Sequence, residues 1–143
     1  MHRCLFILLN TYRKIHFLFK MRIIKKTLGD DMFIFFEDNH INCGYVQYHI
    51  SYEIREVQLL YIYVHPDHRG KKYGHFLMEQ MTQDVIDKMR NNNIDQFDIH
   101  LDDMTDNFGK SNNLYLKMGF EYCEVDDQGP CGPEMSKTIR CKI

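Results

Sequence analysis

The residues best suited to chemistry lie where an apolar strand, residues 57–64, runs into the turn formed by residues 65–70. The residues that follow open an amphipathic helix, which the apolar spacing predicts over 71–90. A strand, a glycine-bearing turn and a helix start bring several backbone N–H groups and the positive end of a helix dipole to one point. This arrangement favours the binding of phosphate groups. Three basic side chains add positive charge there: Arg69, Lys71 and Lys72.

The same turn contains side chains that bind metals in other proteins, namely His65, Asp67 and His68. Their spacing within one turn fits no common structural zinc pattern, and no cysteine lies nearby in the sequence. We therefore predict no metal site.

Size and charge limit the class of protein. A chain of 143 residues predicts one domain, and 44% hydrophobic residues are enough for a packed core. Residues 1–26 hold seven of the 18 basic residues and none of the 20 acidic ones, so the remainder is acidic. An acidic body argues against a nucleic-acid partner and favours a cationic substrate. The five cysteines form no C-x-x-C pair, which predicts reduced thiols and a cytoplasmic location.

Residues 1–20 differ from the rest of the chain because they are basic and apolar. Their apolar run is far shorter than the roughly 20 residues that a membrane span needs, so no span is predicted. We interpret them as an N-terminal extension, or as residues upstream of a natural start at Met21, with residues 21–143 as the domain. A membrane-surface segment is the alternative.

The order of predicted elements is β-β-β-β-α-β-α-β-β. The strands are expected at 21–26, 32–36, 43–50, 57–64, 94–101, 120–125 and 135–143, and the helices at 71–90 and 111–118. This order predicts an α/β (α+β) fold with a single mixed, mostly antiparallel sheet. Strands 57–64 and 94–101 should form its central parallel pair, joined by the first helix.

Three stretches together resemble a known family. The turn Arg69-Gly70-Lys71-Lys72-Tyr73-Gly74 is similar to its pattern Q/R-x-x-G-x-G/A, and the strand before it ends in a Val-His-Pro that looks like the family's V-x-P. Downstream, residues 113–120 place Tyr115 four residues before Gly119-Phe120. On these motifs the chain resembles the GNAT superfamily of acyl-CoA-dependent N-acetyltransferases.

Two positions depart from that family. Lys72 stands where the family usually has the first motif glycine, and its ammonium would neutralise phosphate if its backbone holds a helical φ. Only about five residues separate the first two strands, where the family usually has two helices that roof the acceptor site. We expect those helices to be missing, and the acceptor site to be shallow or completed by another chain, as in a homodimer.

The resemblance implies roles for individual residues and acetyl-CoA as co-substrate. The coenzyme A pyrophosphate would lie on the N–H groups of residues 69–74: Arg69, Gly70, Lys71, Lys72, Tyr73 and Gly74. The pantetheine arm would lie along the main chain of Ile62, Tyr63 and Val64. One of three asparagines would hold that arm: Asn107, Asn112 or Asn113. Tyr115 would protonate the departing thiolate, since a phenol pKa near 10 and a thiol pKa near 8.5 make the transfer feasible.

The resemblance implies an N-acetyltransferase acting on a small-molecule or peptide amine. The amine must lose a proton, and the sequence offers two candidate bases, Glu56 and His100. Glu56 precedes Gln58 by two residues and would share its face of the strand, while His100 lies on the neighbouring strand. A catalytically silent acyl-CoA-binding module is the alternative function.

Overall fold

The computed structural model describes residues 21–105, 113–123, 128–129 and 132–141. The strands are β1 (Met21–Leu28), β2 (Asp31–Asp38), β3 (Ile41–Ser51), β4 (Glu56–Val64), β5 (Gln96–Asp102), β6 (Glu121–Tyr122), β7 (Gln128–Gly129) and β8 (Gly132–Arg140). The helices are α1 (Tyr73–Asn91) and α2 (Leu114–Lys117), and one 3-10 turn spans Pro66–His68. The predicted extension 1–20 and two predicted site residues, Asn107 and Asn112, lie outside the described residues.

One mixed sheet carries the fold, in the order β1-β2-β3-β4-β5-β8-β6, with β7 paired to β8. Every pair is antiparallel except β4–β5, which is parallel and joined through α1. This confirms the predicted fold class. Two residues, Gly29 and Asp30, connect β1 to β2, so the predicted absence of helices between the first two strands is also confirmed.

Alternation along the strands decides which face of the sheet is buried. Phe36 and Val46 point into the core, and Phe36 packs its ring against Tyr73 and Phe76 of α1. The apolar side of α1 supplies the other half of this core with five fully buried side chains: Leu77, Met78, Met81, Val85 and Met89. Both the strand pattern and the helix pattern therefore bury the same face of the sheet.

One carboxylate is buried within this core layer. Asp84 of α1 accepts hydrogen bonds from Lys88 at 2.6 Å, from Lys25 at 3.4 Å and from the Tyr48 hydroxyl. Burial alone would raise the pKa of Asp84, but the bonds from Lys88 and Tyr48 outweigh it and the pKa is lowered. The cluster ties β1 and β3 to α1.

The central parallel pair is short. Only residues 56–58 of β4 pair with residues 98–100 of β5, and beyond them the two strands separate. A register shift in the β3–β4 pairing accompanies the separation: Tyr48 faces Leu59 but Gln47 faces Tyr61, which leaves Leu60 as an extra residue in β4. The separation leaves a gap in the sheet between the carboxyl halves of β4 and β5.

Gly44 of β3 sets how closely β3 approaches β4. A Cβ built there would lie 2.3 Å from the Tyr63 carbonyl oxygen, a backbone atom that cannot move without the strand. We expect Gly44→Ala to lower the free energy of unfolding by about 2 to 3 kcal/mol. Urea unfolding tests this, with Gly74→Ala as comparator because its Cβ would meet only the end of the Leu114 side chain, at 3.2 Å. Equal effects of the two substitutions would contradict the expectation.

The helices begin and end differently from their predicted bounds. The first was expected to begin at residue 71 but begins at Tyr73, because Lys72 has a left-handed backbone with φ 63°. The described part of the second is a single turn, Leu114–Lys117. None of the helices in the described residues is both long and apolar enough to cross a membrane.

Candidate functional site

The turn between β4 and α1 presents a row of unused backbone donors. Gly70 and Lys72 both adopt positive φ, at 80° and 63°, and this curves the chain before the first turn of α1. In the described part of the chain, none of the N–H groups of residues 70–75 donates to another group of the protein; the first bond after the turn runs from Phe76 N to Lys72 O. These donors, with the helix dipole behind them, are available to an anion.

Lys72 does not hold the helical φ under which its phosphate role was expected. A lysine in the left-handed region costs about 1 to 2 kcal/mol relative to helical geometry, which a glycine avoids. It is the N-cap residue of α1, but its ammonium has no acceptor and cannot cap the N–H groups of the first turn. The backbone at this position therefore has the shape that a glycine adopts easily, and the exposed ammonium is additional to it.

A cavity of about 470 Å³, which we call the outer cavity, lies beside this turn. Its wall includes Gly70, Lys72 and Gly74, together with Lys117 from α2. His68 also lines it, with a buried Nδ1 that has no hydrogen-bond partner among the described residues. The basic side chains of this wall, Arg69, Lys72 and Lys117, fit a site for an anionic ligand.

A second cavity, of about 530 Å³, lies in the gap between β4 and β5, and we call it the inner cavity. Leu59 and Ile62 line it from β4, and Leu101 and Asp102 from β5. Leu101 points to the buried face of the sheet and Asp102 to the other, so the gap passes through the sheet. Four residues line both cavities and make them one continuous groove: Val64, Arg69, Gly74 and Leu114.

The main chain of β4 places two of the predicted contact residues on this groove. The His65 N–H donates to Cys43 O of β3. Because the backbone N–H and C=O groups of successive residues point to opposite sides of a strand, those of Tyr63 also point toward β3. Those of Ile62 and Val64 point toward the gap. Arg69 Nε already donates to the Val64 carbonyl at 2.9 Å. The structure therefore brings Ile62 and Val64 to the groove, whereas Tyr63 and Lys71 do not line it.

Tyr115 lies on α2, lines the inner cavity and is 6% exposed. Asn113 caps this helix, since its Oδ1 accepts from the Tyr115 N–H at 2.9 Å and the Leu116 N–H at 3.2 Å. The pKa of Tyr115 is raised to about 12, mainly because the phenol is buried and also because the negative charge of Asp103 is nearby. The expectation of a phenol pKa near 10 is therefore wrong. Full transfer of its proton to a thiolate of pKa about 8.5 is uphill by roughly 5 kcal/mol.

A buried carboxylate, Asp103, fixes the residues around Tyr115. It accepts hydrogen bonds from Asn113 Nδ2 at 2.9 Å, from the Tyr122 hydroxyl at 2.8 Å and from Thr105. Burial works to raise the pKa of Asp103, but the bonds from Thr105 and Tyr122 prevail and the pKa is lowered. Asn113 is fully buried in this network and caps α2. The structure thus commits its side chain to the protein, although it was among the asparagines expected to hold a bound pantetheine.

The two candidate bases lie together on the face of the sheet opposite α1. Because Gln58 pairs with His100, Glu56 comes within 3.6 Å of His100 Nε2. His100 Nδ1 lies 3.1 Å from a carboxylate oxygen of Glu134 on β8. Neither Glu56 nor His100 lines the groove, whereas Asp102, two residues after His100 on the same face, does.

Sequence reasoning missed several groups that the structure places at the groove. The unassigned ones are His68, Leu60 and Asp102, together with Asp103, which follows β5 and holds Asn113 behind the groove. The paired carboxylates directly after a predicted strand were a signal, since the carboxyl ends of adjacent parallel strands meet at one edge. In the described residues no group of three His, Cys, Asp or Glu is placed to hold a metal.

Comparison with protein families gives one match. The family described as "Acetyltransferase (GNAT) domain" matches residues 29–122, which include the β4–α1 turn, the gap and α2. No curated protein sequence matches the chain.

Solved structures with the same fold include three acetyltransferases. The PaiA N-acetyltransferase of Thermoplasma acidophilum, in complex with coenzyme A, has a TM-score of 0.57 at 19% identity, over 77% of this chain and 62% of that one. Spermidine/spermine N-acetyltransferase SpeG of Vibrio cholerae has a TM-score of 0.54 at 18% identity, over 77% and 66%. A GNAT family acetyltransferase of Elizabethkingia anophelis with acetyl-CoA bound has a TM-score of 0.52 at 14% identity, over 85% and 98%.

Proposed function

This chain belongs to the GNAT acetyltransferase family, whose domain uses acetyl-CoA as co-substrate. On that premise we propose that it moves an acetyl group from acetyl-CoA to a primary amine by direct attack in a ternary complex. The observation that carries the proposal is the continuous groove from the basic turn into the gap between β4 and β5. We assign the acetyltransferase domain to residues 21–143. Within the part of the chain that the structure describes, Cys43, Cys123 and Cys141 are free thiols, which favours the cytoplasm as its location.

The residues of the turn fit the diphosphate of coenzyme A. The unused N–H groups of residues 70–75 would donate to its oxygens, with the ammonium of Lys72 beside them. The N–H groups of Ile62 and Val64 would hold the arm along β4 and polarise the acyl oxygen. Gly74 lines both cavities, and the arm would pass from the turn into the gap beside it.

Acetyl-CoA supplies an acyl group activated as a thioester, and the residues of the chain manage the protons. The Tyr115 hydroxyl would donate a hydrogen bond at the place where the sulfur departs. Its raised pKa keeps the hydroxyl protonated, so it remains a donor to the charge that develops on the sulfur. The attacking amine gives its proton to a base on the face of the sheet opposite α1.

Glu56 and His100 are the proposed bases, and because they lie within 3.6 Å of each other they act as a pair. Since neither lines the groove, the proton would reach them through water or Asp102. We expect Glu56→Gln or His100→Gln to lower kcat by about 100-fold and to remove the acid limb of the pH–rate profile. Glu53→Gln, at an exposed position nearby, is the control. If both variants keep the wild-type profile, the base lies elsewhere.

The nature of the amine is open between small molecules and peptides. Asp102 at the gap and the acidic balance of residues 27–143 favour a cationic amine. A neighbour of the same fold carries the name spermidine/spermine N-acetyltransferase. The decisive experiment is a panel of amines with acetyl-CoA, followed by mass spectrometry of the products. An acetylated amine supports the enzyme. Tight binding of coenzyme A with no product from any amine would instead favour the silent acyl-CoA-binding module.

A further inference from the structure

Five aromatic side chains form a continuous row across the sheet, which we name the aromatic stripe: Phe33, Phe35, Tyr45, Tyr61 and Tyr63. Phe33 and Phe35 of β2 stack at 5.8 Å, and both rings contact Tyr45 of β3. Tyr45 in turn contacts Tyr61 and Tyr63 of β4, each at 5.9 Å. The stripe therefore spans three adjacent strands without a break.

The stripe lies on the face of the sheet that α1 does not cover. Phe33 and Phe35 alternate with Ile34 and Phe36, whose side chains are fully buried under the helix. The stripe residues are partly exposed, and Tyr61 is 44% exposed. No helix or strand in the described part of the chain packs on them. A contiguous apolar patch of this kind marks an interaction site more often than an ordinary surface.

One end of the stripe is part of the proposed active site. Tyr61 lines the inner cavity, because the extra residue Leu60 turns both side chains toward this region. Asp102 lines the same cavity from β5, and its neighbour across the β5–β8 pair is Glu134. An amine that reaches the gap from this face thus passes carboxylates, and the rest of its molecule continues over the stripe.

The other end of the stripe carries the ammonium of Lys26. Lys26 of β1 pairs with Phe33 of β2 and so shares the face of the stripe, whereas the charge of Arg22 on the same face is offset by Glu37 opposite it. Lys26 Nζ lies 5.7 Å from the centre of the Phe35 ring. From Tyr61 to Lys26 is three strand spacings, about 14 Å, which an extended peptide covers in about four residues. The surface runs from acidic to aromatic to basic over that length.

We propose that the aromatic stripe binds an extended peptide of four to five residues whose amine enters the gap between β4 and β5. This rests on the proposed function and names the substrate class of the same site. A small aliphatic amine would fill the gap and leave the stripe uncovered. A peptide with apolar side chains after its amine, and an acidic group at its far end, complements all three parts of the surface.

The test compares a pentapeptide of that composition with butylamine as acceptors for the full chain. We expect the peptide to have a kcat/KM at least 10-fold higher. Phe35→Ser and Tyr45→Ser should each raise the peptide KM at least fivefold and leave the kinetics with butylamine unchanged. Ile54→Ser removes an equally apolar side chain, 63% exposed and away from the stripe, and should change neither.

Two outcomes overturn the proposal while the enzyme assignment stands: wild-type turnover of butylamine as good as that of the peptide, or stripe variants with an unchanged peptide KM. A third is a fall of more than about 5 °C in the Tm of Phe35→Ser, because the ring would then be covered by the chain itself or by a second copy. If no amine is acetylated at all, the proposed function fails. Calorimetry of the peptide with the coenzyme A complex then still decides whether the stripe binds it.

Discussion

Replacement of Tyr115 by Phe is expected to lower kcat at least 100-fold and to leave the Kd for coenzyme A within about twofold of wild type. The phenol is buried at the inner end of the groove, and Phe keeps its packing while removing only the hydroxyl. Because the pKa of Tyr115 is raised to about 12, the phenol stays protonated through the assay range. We therefore expect no loss of wild-type activity between pH 8 and 10 from ionisation of Tyr115.

Steady-state kinetics of both proteins between pH 6 and 10, with calorimetric titration of coenzyme A, provide the measurement. Tyr52→Phe is the matched control, since Tyr52 lies in the exposed turn between β3 and β4. Intact activity in Tyr115→Phe would remove the proton-donor role. An equal loss of coenzyme A affinity in that variant would make Tyr115 a binding residue instead.

Lys72→Asp is expected to stabilise the free protein and to weaken coenzyme A binding. Aspartate tolerates the left-handed backbone at φ 63°, and a negative charge at the N-terminus of α1 favours the helix by about 0.3 to 1 kcal/mol. The same carboxylate would face the diphosphate. We expect the Kd to rise at least about 30-fold, which corresponds to about 2 kcal/mol.

Lys72→Asn separates charge from backbone shape, because Asn tolerates the same conformation and is neutral. Its Kd should stay within about fivefold of wild type, since the backbone N–H groups remain in place. Thermal unfolding and calorimetry of the three proteins give both quantities. If neither Lys72→Asp nor Lys72→Asn weakens binding of coenzyme A, the diphosphate does not lie at this turn.

The fold was predictable because its signals are local and agree with one another. The apolar run in β2, the alternation in β3 and the four-residue spacing in α1 gave the elements. The parallel connection from β4 through α1 to β5 gave the centre of the sheet. Helix ends were less predictable: α1 begins two residues late because the left-handed backbone of Lys72 depends on the turn as a whole.

The candidate site was predictable only in part. The turn, Ile62, Val64 and Tyr115 are carried by sequence motifs and lie at one groove. The raised pKa of Tyr115 was not predictable, because it arises from burial and from a carboxylate twelve residues away. Asp103 in turn depends on Tyr122, which reaches it only through the pairing of β6 with β8. Contacts of this kind exist only once the strands are in register.

The most direct measurement is an amide NMR titration of the full chain with coenzyme A. The N–H groups of residues 70–75, unused within the described structure, should show saturable ¹H and ¹⁵N shifts at one equivalent. The amides of Ile62 and Val64 should shift with them, and those of the β1–β2 turn should not. Saturable binding that leaves the amides of 70–75 unmoved, or no binding at all, would contradict the assignment of this groove to acetyl-CoA.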